Sequence, residues 1–477
     1  MTDRDARLVA AVRAGDLPEV HALLGPGRNP DAVDEDGLPV LCGAVAAHEE
    51  EIAGALLGAG ADPEAVDADG TPVLCTAVAA FAYRTVADLV RAGADPDRVL
   101  PDGTTPLLRA VEGGSPATVK ALLWSQDLQA PELRLERPMR ERLLAAARHW
   151  YETGAETELR RRTGAAAPAW TGTVEEERCE VEQVTLGGLS VRAGHGAVLT
   201  VLESTFGAPA PFTELVSRAV RHPDPMHVDW AAARSELGNR LGEGTRDMVT
   251  ALRHHPSPHH RRFAADRLAT THHEDDRDLL ATWAETETDA VVLADVLWAL
   301  SEQAEDHPRL EAIGLRYADH PDPQVRRRVP DCFAWPLTAR ATAALRSLTR
   351  DPDDEVRFAA ARSLPAADHE DRYGPGAVVR DLVRDPHSPM RGGAAEALAE
   401  SDDRTADAAE VLLALLDTDD RILRLVAAYG LALRDHPYTP QAYARVEELG
   451  PIHQPDHRAF GLADWRRRNE PPGRGGN

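Results

Sequence analysis

A period of 33 residues near the N-terminus narrows what this chain can fold into more than any other feature. Gly37, Gly70 and Gly103 recur at that spacing, each preceded by an aspartate: Asp36, Asp69 and Asp102. Cys42 and Cys75 repeat at the same interval, as do Gly60-Ala61-Asp62-Pro63 and Gly93-Ala94-Asp95-Pro96. After each Asp-Gly comes a proline and an apolar helix start: Leu38-Pro39-Val40-Leu41, Thr71-Pro72-Val73-Leu74 and Thr105-Pro106-Leu107-Leu108. A second apolar helix is expected over 52–57 and 86–90. Asp-Gly makes a tight turn because glycine accepts φ > 0. Proline near the first helical position is already set for a helix. Gly60 and Gly93 follow leucine-rich helices, where a left-handed residue ends the turn. One such unit cannot bury both of its apolar faces, so neighbouring units must stack.

A second series runs through the C-terminal half. A proline turn precedes a helix rich in Ala and Arg at 222–225, 255–258, 320–323, 351–354 and 385–388. Arg261, Arg326, Arg357, Arg391 and Arg424 follow at equivalent places, with gaps of 65, 31, 34 and 33 residues. The gap of 65 is two units, the missing one lying at 288–295 without its Pro and Arg. About seven helix pairs are expected from 212 to 436.

Composition supports a mostly helical reading. Hydrophobic residues make up 43% of the 477 but aromatics only 5%, so Ala, Leu and Val carry the cores. Acids outnumber bases 79 to 53, for a net charge of −26. That balance argues against nucleic acid or an anionic membrane as partner, since both need cationic surface. The four cysteines (Cys42, Cys75, Cys179, Cys332) form no disulfide framework and no Cys-x-x-Cys pair. No signal-peptide pattern or membrane-length apolar run is present, so the cytoplasm is the expected compartment.

The first series resembles the ankyrin repeat. Gly-Thr-Thr-Pro-Leu-Leu-Arg-Ala at 103–110 is nearest to that family's pattern. In the two preceding units the proline sits one place early and cysteine replaces the family histidine. Residues 7–33 are expected to form a degenerate cap. The second series resembles HEAT repeats, the pattern Asp-Pro-x-x-x-Val-Arg-x-x-Ala-Ala being nearest at 351–361. That resemblance implies a ladder of turn acids and helix arginines, here Asp322 and Asp353 with Arg326 and Arg357. The fold class expected is therefore mostly α, with two α-solenoids joined by a short connector that carries a β-hairpin signal. Ankyrin-like repeats occupy 1–126, the connector 127–205, HEAT-like repeats 206–468 and a disordered tail 469–477. Within the connector, 132–162 has a helical pattern and 165–169 reads as a linker. Residues 179–186 alternate polar and apolar before Gly187-Gly188 and 189–191, a hairpin signal.

Candidate chemistry is sparse. The densest histidine region comprises His254, His255, His259, His260, His272 and His273. A metal would need ligands converging at ~2–2.2 Å, which the two-proline turn between His255 and His259 opposes. Because His222, His320 and His436 recur before proline at helix ends, these rings are expected to meet helix dipoles instead. His273-Glu274 and His369-Glu370 resemble the pairs of HEAT-type di-iron hydroxylases, but lie three repeats apart. No metal, no cofactor and no catalytic residue are expected.

The resemblance implies instead a non-enzymatic protein-interaction scaffold or adaptor. Its contact positions would be Glu35, Asp36, Leu38, Ala46, Ala47, Asp69, Thr71, Ala79, Ala80, Asp102, Thr104 and Glu112. Five of these twelve are acidic and none is basic, which suits a protein partner with a basic surface. The alternative within binding is an acidic antidote that masks a basic toxin. The rival from another class is a metal-dependent hydroxylase or lyase of the HEAT type.

Overall fold

The structure is a computed structural model that describes residues 3–25, 28–124, 134–240, 242–271, 273–303, 307–364, 375–447 and 456–469. It is mostly helical, with one small three-stranded sheet. The chain divides into two compact units, Met1–Ala251 and Leu252–Asn477. The boundaries expected at 126/127 and 205/206 both fall inside the first unit, and the tail expected from 469 lies outside the described residues after Asn469.

The first unit opens with four helix pairs: Asp3–Arg13 with Leu17–Leu23, Val40–Ala46 with Glu50–Gly58, Val73–Ala79 with Tyr83–Arg91, and Pro106–Gly113 with Pro116–Leu123. First helices pack on first helices and second on second. The backbone repeats with the sequence. Residues 15, 48, 81 and 114, each joining the two helices of a pair, all have positive φ: Gly15 67°, His48 60°, Phe81 56° and Gly114 72°. Neighbouring units are stitched by amides, Asp62 N donating to Asp31 Oδ1 and Asp95 N to Glu64 Oε1, both at 2.7 Å. The early prolines have a local consequence. Pro39 and Pro72 occupy the N-cap and offer no side-chain acceptor, whereas Thr105 caps Leu108 N with Pro106 inside the helix.

The helical segment expected over 132–162 is broken at Gly154 (φ 85°) into Arg137–Thr153 and Ala155–Thr163. The hairpin expected from 179 is part of a larger sheet: β1 (Trp170–Glu176), β2 (Cys179–Leu186) and β3 (Leu189–Arg192), antiparallel in that order. Gly187 and Gly188 turn β2 into β3 with φ of 59° and 81°. The β1–β2 turn makes the same left-handed excursion with Glu177 and Arg178, at 51° and 68°. The sheet is covered on both faces. Val184, Leu186 and Val191 meet Trp150, Ala155 and Leu159 on one side, and Val181 meets Ala197 and Val228 on the other. Leu143, Ala147, Val198, Leu199 and Leu202 belong to the same core as the N-terminal helix pairs. What the sequence suggests as a connector is thus a structural part of the first unit.

Buried ions reinforce this junction. Glu176 of β1 accepts from Ser115 Oγ (2.9 Å), Ala117 N (2.6 Å) and Arg192. Arg218 is wholly buried and pairs with Glu203 at 2.7 Å while donating to Thr200 Oγ1 at 3.0 Å. Such ions are tolerated inside only when paired and hydrogen-bonded.

The second unit opens with the short 3-10 helix Leu252–His254 and runs from helix Pro258–Leu268 to helix His457–Asn469. Helices Pro258–Leu268, Ala290–Gln303, Pro323–Arg328 and Asp354–Ser363 pack on one another in succession, and so do Glu274–Thr286, Leu310–Tyr317 and Ala339–Leu348. The series arginines act here, with a different acid from the one expected. Arg326 Nη1 donates to the carbonyls of His320 (2.8 Å) and Pro321 (3.0 Å) in its own proline turn, and its other edge grips Asp351 at 2.7 and 2.8 Å. Arg261 does the same with the carbonyls of His255 and Pro256 and with Glu287 of the following turn. Asp322 and Asp353 are N-caps, accepting from Gln324 N and from Glu355 N and Val356 N. In the 351–354 turn the acid two residues further on, Asp353, reaches the helix amides, and Asp351, which precedes the proline, faces the previous unit's arginine. Arg357 keeps the turn carbonyls of Asp351 and Pro352 but takes Asp354 of its own helix.

Candidate functional site

Two places carry the chemistry that side chains can offer a partner. The first is the row of turn tips and first-helix ends in the N-terminal helix pairs. Glu35, Asp36, Ala46, Ala47, Asp69 and Ala79 are exposed there, with Leu38, Thr71, Ala80 and Thr104 half-buried beside them. Turn chemistry falls on neighbouring acids. Asp34 Oδ1 accepts from the amides of Asp36 and Leu38, and Asp67 Oδ1 from those of Asp69 and Thr71. Glu35, Asp36 and Asp69 are therefore not needed as acceptors in those turns.

The third unit differs. Asp102 accepts from Thr104 N and Oγ1 and pairs with Arg109 at 2.8 Å, which together pull its carboxyl down to about 2. Glu112 does not extend the acidic row. Its carboxylate is paired by Arg162 at 2.8 Å, and its carbonyl lies 3.1 Å from His195 Nε2. Arg162 also stacks over Trp150, at 4.7 Å, and bonds Glu158. The acidic row is thus confined to the first two full units.

The second place is a cluster of His222, His227 and Asp229, whose ligand-type atoms all lie within 4.8 Å of one another. Among the described residues it is the one such group of three. Helix Phe212–Arg221 ends at His222, and His227 is the N-cap of helix Val228–Asn239. The turn between them is sewn to the sheet: Glu180 N of β2 donates to Met226 O at 2.7 Å. His227 Nδ1 accepts from Asp229 N at 3.1 Å. Asp229 Oδ1 accepts from Ala197 N at 2.6 Å, in the first turn of helix His195–Thr205, where a carboxylate meets the positive end of the helix. A Cβ on Gly196 would sit 2.4 Å from Asp229 Oδ2, so glycine is what admits this carboxyl.

Burial sets the charge state of the cluster. His227 and Asp229 are only 7% and 1% exposed. Desolvation pushes the His227 ring down to about 4, with the neighbouring His222 adding to it. Burial also lowers His222, next to Arg221, and raises Asp229 to about 7 against the pull of the Ala197 amide. Near neutral pH both rings are unprotonated, and the single lone pair of His227, on Nδ1, is taken by the Asp229 amide, so its Nε2 carries the hydrogen. His227 Nε2 is buried with no hydrogen-bond partner. Two cavities, ≈ 260 Å³ and ≈ 500 Å³, flank the cluster and share His222, Thr171 and Glu182 as lining.

The histidine-rich region at 254–273 resolves differently. His255 and His260 stack at 3.8 Å, His255 Nδ1 accepts from Ser257 N, and His273 Nδ1 accepts from Asp275 N. His307, His320 and His436 likewise accept the amide two residues ahead. These rings are acceptors in turns. The histidines expected to be structural at helix ends thus act in the turns there, as acceptors for backbone amides. His273 precedes a helix that begins at Glu274, while His272, His369 and Glu370 lie outside the described residues. The signal that could have found the buried cluster is the repeated pattern His-Pro-x-Pro-x-His, at 222–227 and again at 255–260.

No family model matches the chain, and no curated protein matches it. Among the described residues no helix is long and apolar enough to cross a membrane.

Proposed function

We propose that the chain is a non-enzymatic protein-interaction scaffold made of two α-solenoids, ankyrin-like in its first 126 residues and HEAT-like from 206 onward. One observation carries this reading. The left-handed residues 15, 48, 81 and 114 recur at the sequence period while equivalent helices stack on equivalent helices. Such an array repeats its exposed tips along one edge, and Glu35, Asp36 and Asp69 put uncommitted negative charge there. A protein with a basic patch is the matching partner, bound without bond making. An acidic antidote to a basic toxin would use the same face.

The test is comparative capture from the native cell. Wild-type chain and the triple variant Glu35→Gln, Asp36→Asn, Asp69→Asn serve as baits. The reading expects at least one protein with a basic surface that the wild type retains and the variant loses. Identical captures would remove this face as the binding surface.

A further inference from the structure

We propose that Val33, Val66 and Val99, with Glu35, Asp36 and Asp69 beside them, form a docking row for a polyproline II segment of a partner protein, one that carries an aliphatic side chain at every third position and basic ones between. This inference rests on the scaffold reading and names the chemistry of the partner for the same face.

The three valines recur at the 33-residue period and stand at one structural position. The residue after each opens the same closed loop. Asp34 N donates to Leu38 O, Asp67 N to Thr71 O and Leu100 N to Thr104 O, at 3.0, 2.9 and 2.9 Å. Gly37 N, Gly70 N and Gly103 N donate back to the carbonyls of Asp34, Asp67 and Leu100. In the first two loops the valine bridges to Pro39 or Pro72, which makes its backbone extended. Neighbouring side chains then alternate: Ala32 and Ala65 are buried, while Val33 and Val66 are 44% and 38% exposed. Val99 is 70% exposed. Single exposed aliphatics are ordinary on a protein surface. Three at one position of a repeat are not scatter, because threonine would suit the same extended backbone without exposing a second methyl group.

The spacing of the row selects the conformation of its occupant. The bonds between units, Asp62 N to Asp31 and Asp95 N to Glu64, fall two residues before Val33 and Val66, so the valines follow the stacking of the units. Packed helix layers lie about 8–10 Å apart. A polyproline II helix has three residues per turn and rises ~3.1 Å per residue, so every third side chain returns to one side after about 9.3 Å. A β-strand turns its third residue to the opposite face. An α-helix regains the same face after seven residues, about 10.5 Å, which exceeds the layer spacing.

Charge completes the match. Glu35, Asp36 and Asp69 are exposed, and Asp34 and Asp67 already serve the turn amides in their place. Arginine or lysine between the aliphatic positions of the segment meets these carboxylates. In the third unit Asp102 is held by Arg109, so the basic residues of the segment belong over the first two units.

The test pans the full chain with a displayed library of random peptides about twelve residues long, enough at ~3.1 Å per residue to cross three units. We expect selected peptides to carry an aliphatic residue at every third position, with proline and arginine or lysine between. A synthetic peptide from that set should bind Val33→Thr, Val66→Thr, Val99→Thr about fivefold or more weakly than wild type. It should also bind Glu35→Gln, Asp36→Asn, Asp69→Asn more weakly, most of all at low salt. Unchanged melting curves establish that both variants are folded. If the triple valine variant melts early, Val99→Thr decides, with about a twofold loss expected. No enrichment, apolar residues at helical spacing, or equal binding to wild type and the folded valine variant would overturn the proposal. Basic peptides without an aliphatic period that bind through the acids would overturn it and leave the scaffold reading standing. Peptides that bind wild type and both variants alike would remove the whole face, and the scaffold reading of it as well.

Discussion

His48 holds a left-handed backbone at a position that Gly15 and Gly114 fill in other units. A residue with a Cβ pays roughly 1–2 kcal/mol for that conformation, while glycine loses about 0.4–1 kcal/mol through its freer unfolded state. His48 is exposed and packs against nothing that a glycine would forfeit in the core. His48→Gly should therefore raise stability by about 0.5–1 kcal/mol, read as a higher urea midpoint. Glu158 makes the opposite case. Its side chain is fully buried and bonded by Arg161 at 2.6 Å, Arg162 at 2.9 Å and His149 at 3.0 Å. Arg161 above all holds its carboxyl well below the usual carboxylate range, despite burial. A depressed folded pKa means stability that is present above the unfolded value, about 4.3, and lost as pH falls toward the folded one. Glu158→Gln should be destabilised at pH 7 and should lose less further stability than wild type between pH 5 and 3. Equal acid limbs for the two proteins would contradict this.

Among elements, the arginine contacts in the second unit give a ranked expectation. Arg326 and Asp351 are 12% and 7% exposed, and although burial pushes the Asp351 carboxyl up, Arg326 with the Asp353 amide and Arg357 together hold it below its ordinary value. Arg326→Ala strands that carboxylate and should cost about 3 kcal/mol. Arg357→Ala loses two turn carbonyls and a more exposed pair, about 1–2 kcal/mol. Arg362 is exposed and its removal should cost under about 0.5 kcal/mol. Urea midpoints out of that order would contradict the role assigned to Asp351. The helix pairs were readable because Asp-Gly and Gly-Ala-Asp-Pro mark the same turns each time. The partner acid was not, because Asp-Pro-x-Asp offers two carboxylates two residues apart, and only geometry separates cap from ion pair. Strand β1 escaped for a related reason: Glu177-Arg178 adopts φ values that glycine usually signals. The cluster at 222–229 was hidden because its third member is aimed by Ala197, which is distant in sequence.

For the molecule as a whole, the four thiols offer a simple check on the packing. Cys42, Cys75 and Cys332 are buried and Cys179 is half-buried, all four unbridged. Burial pushes Cys42 up to about 11 and Cys332 to about 12. A thiol reagent at pH 8 should modify Cys179 first in the native chain and all four in denaturant. Two reactive thiols in denaturant would contradict the unbridged pairs. The proposed function rests on charge carried at one edge of the helix pairs. Rim charges act mainly on association rate and on its salt dependence, and salt screens exposed pairs beyond ~8 Å at physiological strength. The most direct measurement is the association rate of the captured partner at low and high salt, for wild type and for Glu35→Gln, Asp36→Asn, Asp69→Asn. The scaffold account predicts several-fold slower association for the variant at low salt, convergence of the two at high salt, and little change in dissociation. Rates that ignore both salt and the triple substitution would contradict it.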